Sequence, residues 1–149
     1  MTTVTESDRA AMAAALVEAR AALASDDVPV GAIVLDEAGA IIGRGRNERE
    51  KGADPTAHAE VVALRHAAAS RGDWQLSGCT LVVTLEPCVL CAGAILAARI
   101  DRVVFGAWDE KAGAAGSVVD LLRERRLQQR VGEVVGGVEE QECTSLLAA

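Results

Sequence analysis

Apolar and polar positions follow two rhythms along this chain. Between Ser7 and Ala24, alanines recur with Leu16, Val17 and Leu23 among charges, the spacing of an amphipathic helix that Ser7 or Asp8 would cap. Val30–Leu35 and Ala40–Arg46 are apolar runs split by Asp36-Glu37-Ala38-Gly39, which predicts a hairpin with a Gly-containing turn. Asn47–Ala53 reads as a charged loop. Asp54-Pro55-Thr56 then offers start signals for a second helix through Ala69, closed by Arg71-Gly72-Asp73. Thr80–Leu85 is a short β-branched strand; Glu86-Pro87 ends it and opens a third helix, Cys88–Ala98. Arg102–Phe105 reads as a strand, Gly106–Gly116 as a Gly- and Ala-rich loop, and Val118–Arg126 as a helix. Val131–Val135 reads as a strand and Glu139–Leu147 as a last helix. Strands alternating with helices predict a layered α/β fold, in one domain over residues 1–149.

Composition narrows the picture. Half of the 149 residues are apolar, enough for a core, and the apolar set is mostly Ala, Val and Leu, with Phe105, Trp74 and Trp108 as the whole aromatic complement. Such a set suits helices packed closely through small side chains. The net charge of −7 lacks the bulk basic footprint of a sequence-independent nucleic-acid binder, though an acidic body can carry a local basic strip. Met1–Asp8 is polar and acidic and does not read as a signal peptide, and no apolar run reaches membrane-spanning length uninterrupted. Four cysteines here do not form a secreted disulfide framework, so a reducing cytoplasm is the expected compartment.

Candidate chemistry concentrates in His58-Ala59-Glu60 and Pro87-Cys88-Val89-Leu90-Cys91. One imidazole and two thiolates can hold three corners of a tetrahedral Zn²⁺, and a fourth corner left to water distinguishes a catalytic zinc from a closed structural one. His58 with Cys88 and Cys91 are the candidate ligands. Both motifs fall at expected helix starts, where partial positive charge lowers a thiol's pKa. Two helix N-termini would then face one point. Glu60 is placed to move protons rather than to bind metal; its spacing from His58 is too short for one helix face, but near a helix start the two can converge.

Each residue also has a plainer meaning. A Cys-x-x-Cys alone could be a redox pair or half a structural zinc site. Asn47, after Gly43-Arg44-Gly45-Arg46, could read a base edge or simply form a turn. His66 reads as a helix-surface residue, Cys79 and Cys143 as small buried hydrophobes, and Arg123, Arg125, Arg126 and Arg130 as exposed helix charge.

With its motifs in view, the chain resembles the bacterial tRNA adenosine deaminases of the cytidine deaminase-like superfamily. The resemblance is carried by Val28-Pro29-Val30-Gly31-Ala32, Asn47, Asp54-Pro55-Thr56-Ala57-His58-Ala59-Glu60, Thr84-Leu85-Glu86-Pro87-Cys88-Val89-Leu90-Cys91-Ala92-Gly93-Ala94, Arg102-Val103-Val104-Phe105-Gly106-Ala107 and Lys111-Ala112-Gly113-Ala114-Ala115-Gly116-Ser117. It implies a three-layer α/β/α fold around a mixed five-stranded sheet, a homodimer, one zinc per subunit, and hydrolysis of the wobble adenosine of a tRNA anticodon arm to inosine and ammonia. It further implies that His58, Cys88 and Cys91 bind zinc and that Glu60 shuttles protons. Asn47 and Asp109 would engage the flipped base and the anticodon loop. The backbone near Ala59, Pro87 and Cys88 would hold the zinc-side groups of the base. Leu127-Gln128-Gln129-Arg130 departs from the family's Asn-His-Arg segment. That departure and the acidic charge motivate an alternative, deamination of a free base or nucleoside of guanine, cytosine or adenine type. A non-enzymatic zinc protein or RNA-binding module would instead close the metal's fourth corner with a protein atom.

Overall fold

The structure is a computed structural model that describes residues 4–148. Residues 1–3, part of the polar start discussed above, and Ala149 lie outside the described residues.

The chain opens with helix α1, Glu6–Ala21, continued by a single 3₁₀ turn, Ala22–Ser25. Its cap is Thr5 rather than Ser7 or Asp8. The Thr5 hydroxyl accepts the Asp8 N–H at 3.1 Å and the Asp8 carboxylate accepts the Thr5 N–H at 3.1 Å, a reciprocal capping box. Strands β1, Gly31–Leu35, and β2, Ile41–Arg46, form the expected antiparallel hairpin. Asp36 Oδ1 accepts the N–H groups of Ala38 and Ala40, and Gly39 takes φ +86°, which glycine reaches without strain.

The expected loop 47–53 contains a one-turn helix, α2, Arg49–Gly52. Helix α3, Ala59–Arg71, starts later than the sequence suggests. Asp54-Pro55-Thr56 is a turn of its own, with Asp54 Oδ1 accepting both the backbone N–H and the hydroxyl of Thr56. His58, extended at φ −68° and ψ 152°, becomes the N-cap position. Strand β3, Thr80–Leu85, leads to helix α4, Val89–Ala97, whose N-cap is Cys88. Strand β4 spans Arg102–Ala107, β5 spans Glu133–Val135, and helix α5 spans Glu140–Ala148.

The sheet is mixed and five-stranded, in the order β2-β1-β3-β4-β5, with β3, β4 and β5 parallel, β1 antiparallel to β3, and β2 antiparallel to β1. Alternation along the strands sorts side chains to two faces. Ala32, Val34, Leu81, Val83, Val103 and Phe105 pack with Ala63, Leu64, Ala92 and Ile95 of α3 and α4. Ile33, Val82 and Val104 pack on the other face with Met12, Ala15 and Leu16 of α1 and Cys143 of α5. This is the three-layer α/β/α arrangement that the resemblance implied. Each fully buried large aliphatic contributes roughly 1.5–3 kcal/mol of transfer free energy.

The expected helix over Val118–Arg126 does not form. Gly116 at φ +131° breaks the run-up, and the amides that a helix would need are already committed. Val118 N–H donates to Gly113 O, Leu121 N–H to Ala114 O and Gly116 N–H to Val119 O. The segment folds as successive turns around Leu122, which is fully buried. The arginines at 123, 125, 126 and 130 therefore sit on turns rather than along one helix face.

Candidate active site

The site forms where the carboxyl ends of the parallel strands β3 and β4 meet the N-termini of α3 and α4, the usual location for ligands in open α/β sheets. Glycines in β2 bring α3 close: a Cβ on Gly45 would lie 2.3 Å from Ala59 O, and one on Gly43 would lie 2.5 Å from Ala63 O. Helix α3 thus rests on bare backbone, which fixes the height of its first turn above the sheet.

That turn carries His58 at the N-cap and Glu60 two residues on. Facing it, α4 carries Cys88 at its N-cap and Cys91 in its first turn. The ligand atoms of His58, Cys88 and Cys91 all lie within 4.8 Å of one another, and Cys88 Sγ is 3.6 Å from His58 Nδ1. A tetrahedral zinc with N and S bonds of roughly 2.0 and 2.3 Å separates such a pair by about 3.5 Å. The Cys88–His58 separation matches that value, and all three donors lie close enough together to hold one zinc ion.

The electrostatics agree with that donor set. Cys88 is drawn down to about 5, first by the hydrogen bond from the Cys91 thiol, then by the backbone N–H groups of Cys91 and Leu90 and by His58. Cys91 is pushed up because it donates to Cys88 and is buried. The metal-free pair shares a proton that bound zinc would displace. Glu60, 5 % exposed, is raised to about 7 by burial, against the pull of its hydrogen bonds.

A cavity of about 190 Å³ opens over these groups, lined by His58, Glu60 and Cys88 and by Val28, Asn47 and Asp109 among others. Sites for drug-sized ligands run to roughly 300–1,000 Å³, so this one is scaled to a single small ring. Ala59 lines it too; Pro87 is buried beside it and uses its carbonyl to accept the Ala114 N–H at 2.7 Å. Asn47 makes the turn that the sequence allowed, its Oδ1 accepting the Arg49 N–H at 3.2 Å, and it also lines the cavity. Asp109 accepts the N–H groups of Lys111 and Ala112, each at 3.1 Å.

Several groups at the site were not singled out from the sequence. Val28, Val30, Leu85 and Ala112 wall the cavity, and Arg49 stands exposed at its mouth. Asp27, 3 % exposed, accepts the N–H groups of Glu50 and Lys51 and so caps α2 from outside. Glu86, 2 % exposed, collects hydrogen bonds from the loop after β4. Glu86 stood in the sequence as the residue closing an apolar strand and within the Thr84–Ala94 motif, with no role attached, and Asp27 had no signal. His66 is more than surface: its Nδ1 accepts the Arg44 N–H of edge strand β2 at 3.0 Å. Cys79 and Cys143 are buried as expected, Cys79 beside the Arg71 guanidinium at 2.7 Å.

A mixed five-stranded α/β/α fold with three zinc donors and a buried carboxylate at the strand ends defines the class of zinc-dependent deaminases. Residues 5–107 match the model of the cytidine and deoxycytidylate deaminase zinc-binding region, and the chain belongs to that family. It is 44 % identical to the tRNA-specific adenosine deaminase of Bacillus subtilis, over 95 % of this chain and 87 % of that one. It is also 51 % identical, over 92 % of its length, to a Deinococcus deserti protein named tRNA(Ile)-lysidine synthase, and spans only a quarter of that protein. A solved structure from studies of A-to-I editing by tRNA:A34 deaminases superposes with a TM-score of 0.87 at 40 % identity, covering 92 % of this chain and 98 % of the other.

Proposed function

We propose that this chain, acting as one deaminase domain over residues 1–149, converts adenosine to inosine at the wobble position of a tRNA anticodon arm. The observation that carries the reading is the match of the full site-bearing region to tRNA adenosine deaminases at 40–44 % identity, with the metal donors and Glu60 converging on a cavity sized for one base.

His58, Cys88 and Cys91 would hold the zinc. Bound there, zinc supplies Lewis acidity that makes water a competent nucleophile near neutral pH. Glu60 takes the proton from the attacking water and delivers it to the leaving amine. One water is consumed, the C6–N bond breaks, a C6–O bond forms, and ammonia leaves. Burial excludes competing water from the Glu60 carboxylate. Asn47 spends its side-chain oxygen on the Arg49 turn, which directs its amide nitrogen to donate to the base. Asp109 approaches the nucleotide from the cavity lining, with Ala59 and the backbone around Pro87 and Cys88 flanking the ring. Arg49 at the mouth suits a phosphate of the anticodon loop, a local positive charge on an acidic body.

The protein works as a homodimer in the cytoplasm. Exposed Val89, Leu90, Val118 and Val119 flank the site and support a protein neighbour there. None of the described helices is long and apolar enough to cross a membrane.

The test is to incubate zinc-loaded protein with an anticodon stem-loop bearing adenosine at the wobble position, in parallel with free adenine, adenosine, guanine and cytosine. Inosine in the stem-loop, at rates well above ammonia release from the free bases, is expected. Deamination of a free base alone would replace this reading with the small-substrate one.

A further inference from the structure

Glu86 directly follows strand β3, two residues before Cys88; the residue is 2 % exposed, and among the described residues its carboxylate accepts hydrogen bonds from backbone N–H groups and one hydroxyl. Burying a carboxylate is costly unless several donors satisfy it. Here every recorded donor comes from one loop. Oε1 accepts the Asp109 N–H at 3.0 Å and the Ser117 hydroxyl; Oε2 accepts the Ala115 and Ser117 N–H groups, each at 3.0 Å. The loop therefore wraps the carboxylate from both ends, 109 and 115–117. Gly113 passes directly over it: a Cβ there would sit 2.4 Å from the Glu86 carboxyl carbon. The adjoining Pro87 carbonyl holds Ala114.

This loop contributes to the lining of the cavity that His58, Glu60 and Cys88 also line. Asp109 and Ala112 line the cavity and belong to the segment that Glu86 gathers. Glu60 and the three donors, by contrast, sit at the starts of α3 and α4, outside the loop. The chain thus separates two tasks, chemistry on the helix starts and substrate seating on the loop.

We infer that Glu86 is a positioning residue that clamps the 109–117 loop as the substrate-facing wall, acting on substrate seating through Asp109 and Ala112. The assignment rests on the deaminase reading above. A positioning role of this kind predicts loss of binding shared by ground and transition states, which raises KM and spares kcat. Glu86→Gln replaces one acceptor oxygen by a donor NH₂ that must confront N–H or O–H groups of the loop.

The experiment measures steady-state kinetics on the wobble-adenosine stem-loop, zinc content, and amide hydrogen exchange in the full zinc-loaded chain. Glu86→Gln should keep one zinc per chain, raise KM by about tenfold with kcat within about threefold, and speed exchange at Asp109, Ala115 and Ser117. Ser117→Ala, which deletes one donor and no charge, should move KM and exchange the same way by about threefold. Unchanged KM in both variants, or a fall in kcat alone, overturns the assignment. Should Glu86→Gln lose zinc or fail to fold, Ser117→Ala decides by the same criteria. Wild-type protein that leaves the stem-loop untouched rejects the substrate reading instead, and the exchange rates then decide the clamp by themselves.

Discussion

A carboxylate two residues after a metal-binding imidazole can serve the same centre only if the backbone turns a corner between them. In a regular helix those side chains diverge by more than half a turn. Here His58 is extended and Ala59 begins the helix, so His58 approaches from the cap and Glu60 from the first turn. The sequence placed both residues inside the helix, because Asp54-Pro55-Thr56 looked like its start. The turn that Asp54 makes with Thr56 explains the misreading, since Asx turns and N-caps draw on the same residues. Glu60→Ala should retain one zinc per chain and lose at least about a hundredfold in kcat, the lower range of general acid–base contributions. Metal analysis beside single-turnover rates checks it, and a zinc-loaded variant with near-normal turnover would remove Glu60 from the reaction. The metal donors were legible because their types and spacing carry chemistry by themselves. Glu86 and Asp27 were not, because a buried carboxylate acquires meaning only from amides brought to it by the fold.

At the level of elements, strands proved readable and the ends of helices less so. Val82, Val83, Val103 and Val104 belong to β-branched runs that sit as β3 and β4, the two strands buried between helices on both faces. Val118–Arg126 shows the limit. Its composition permits a helix, yet the Glu86 carboxylate and the carbonyls of Gly113 and Ala114 claim the amides at 117–119 and 121. Tertiary partners outcompeted local propensity. The glycines of β2 make a prediction at this scale. Gly45→Ala drives a methyl into Ala59 O and Ala63 N, neither of which can move without lifting α3 and His58 with it. A loss of about 1–3 kcal/mol is expected from overpacking, together with faster surrender of zinc to a chelator. Denaturant titration and chelator competition measure the two effects. An unaltered zinc release rate would show that α3 does not set the height of the ligand.

Across the whole molecule, one ion pair ties the first helix to the middle of the sheet. Asp8 of α1, 4 % exposed, accepts both terminal nitrogens of Arg102 of β4, at 2.7 and 3.0 Å, while Arg102 also meets Glu133 of β5. Hydrogen bonding to Arg102, opposed by burial and aided by Thr5, holds the Asp8 carboxyl below its usual range. A carboxylate depressed in the folded state stabilises the fold above its unfolded pKa of about 3.9, and that contribution is lost as pH falls through the lower folded value. Asp8→Asn should therefore cost on the order of 2 kcal/mol at neutral pH, and the difference from wild type should shrink below about pH 4. Denaturation midpoints over an acid series test it; a gap independent of pH would exclude the ion pair as the cause. The net charge of −7 still argues against bulk electrostatic capture of RNA, so the proposed RNA recognition rests on a few local contacts around the cavity. The proposed function brings these scales to one reaction, addition of water to the base carbon that bears the amine. The most direct measurement runs the stem-loop reaction in heavy-oxygen water and weighs the product nucleoside. Inosine carrying the heavy isotope, with one ammonia released for each, is the predicted result; unlabelled inosine, or none from zinc-loaded protein, would contradict it.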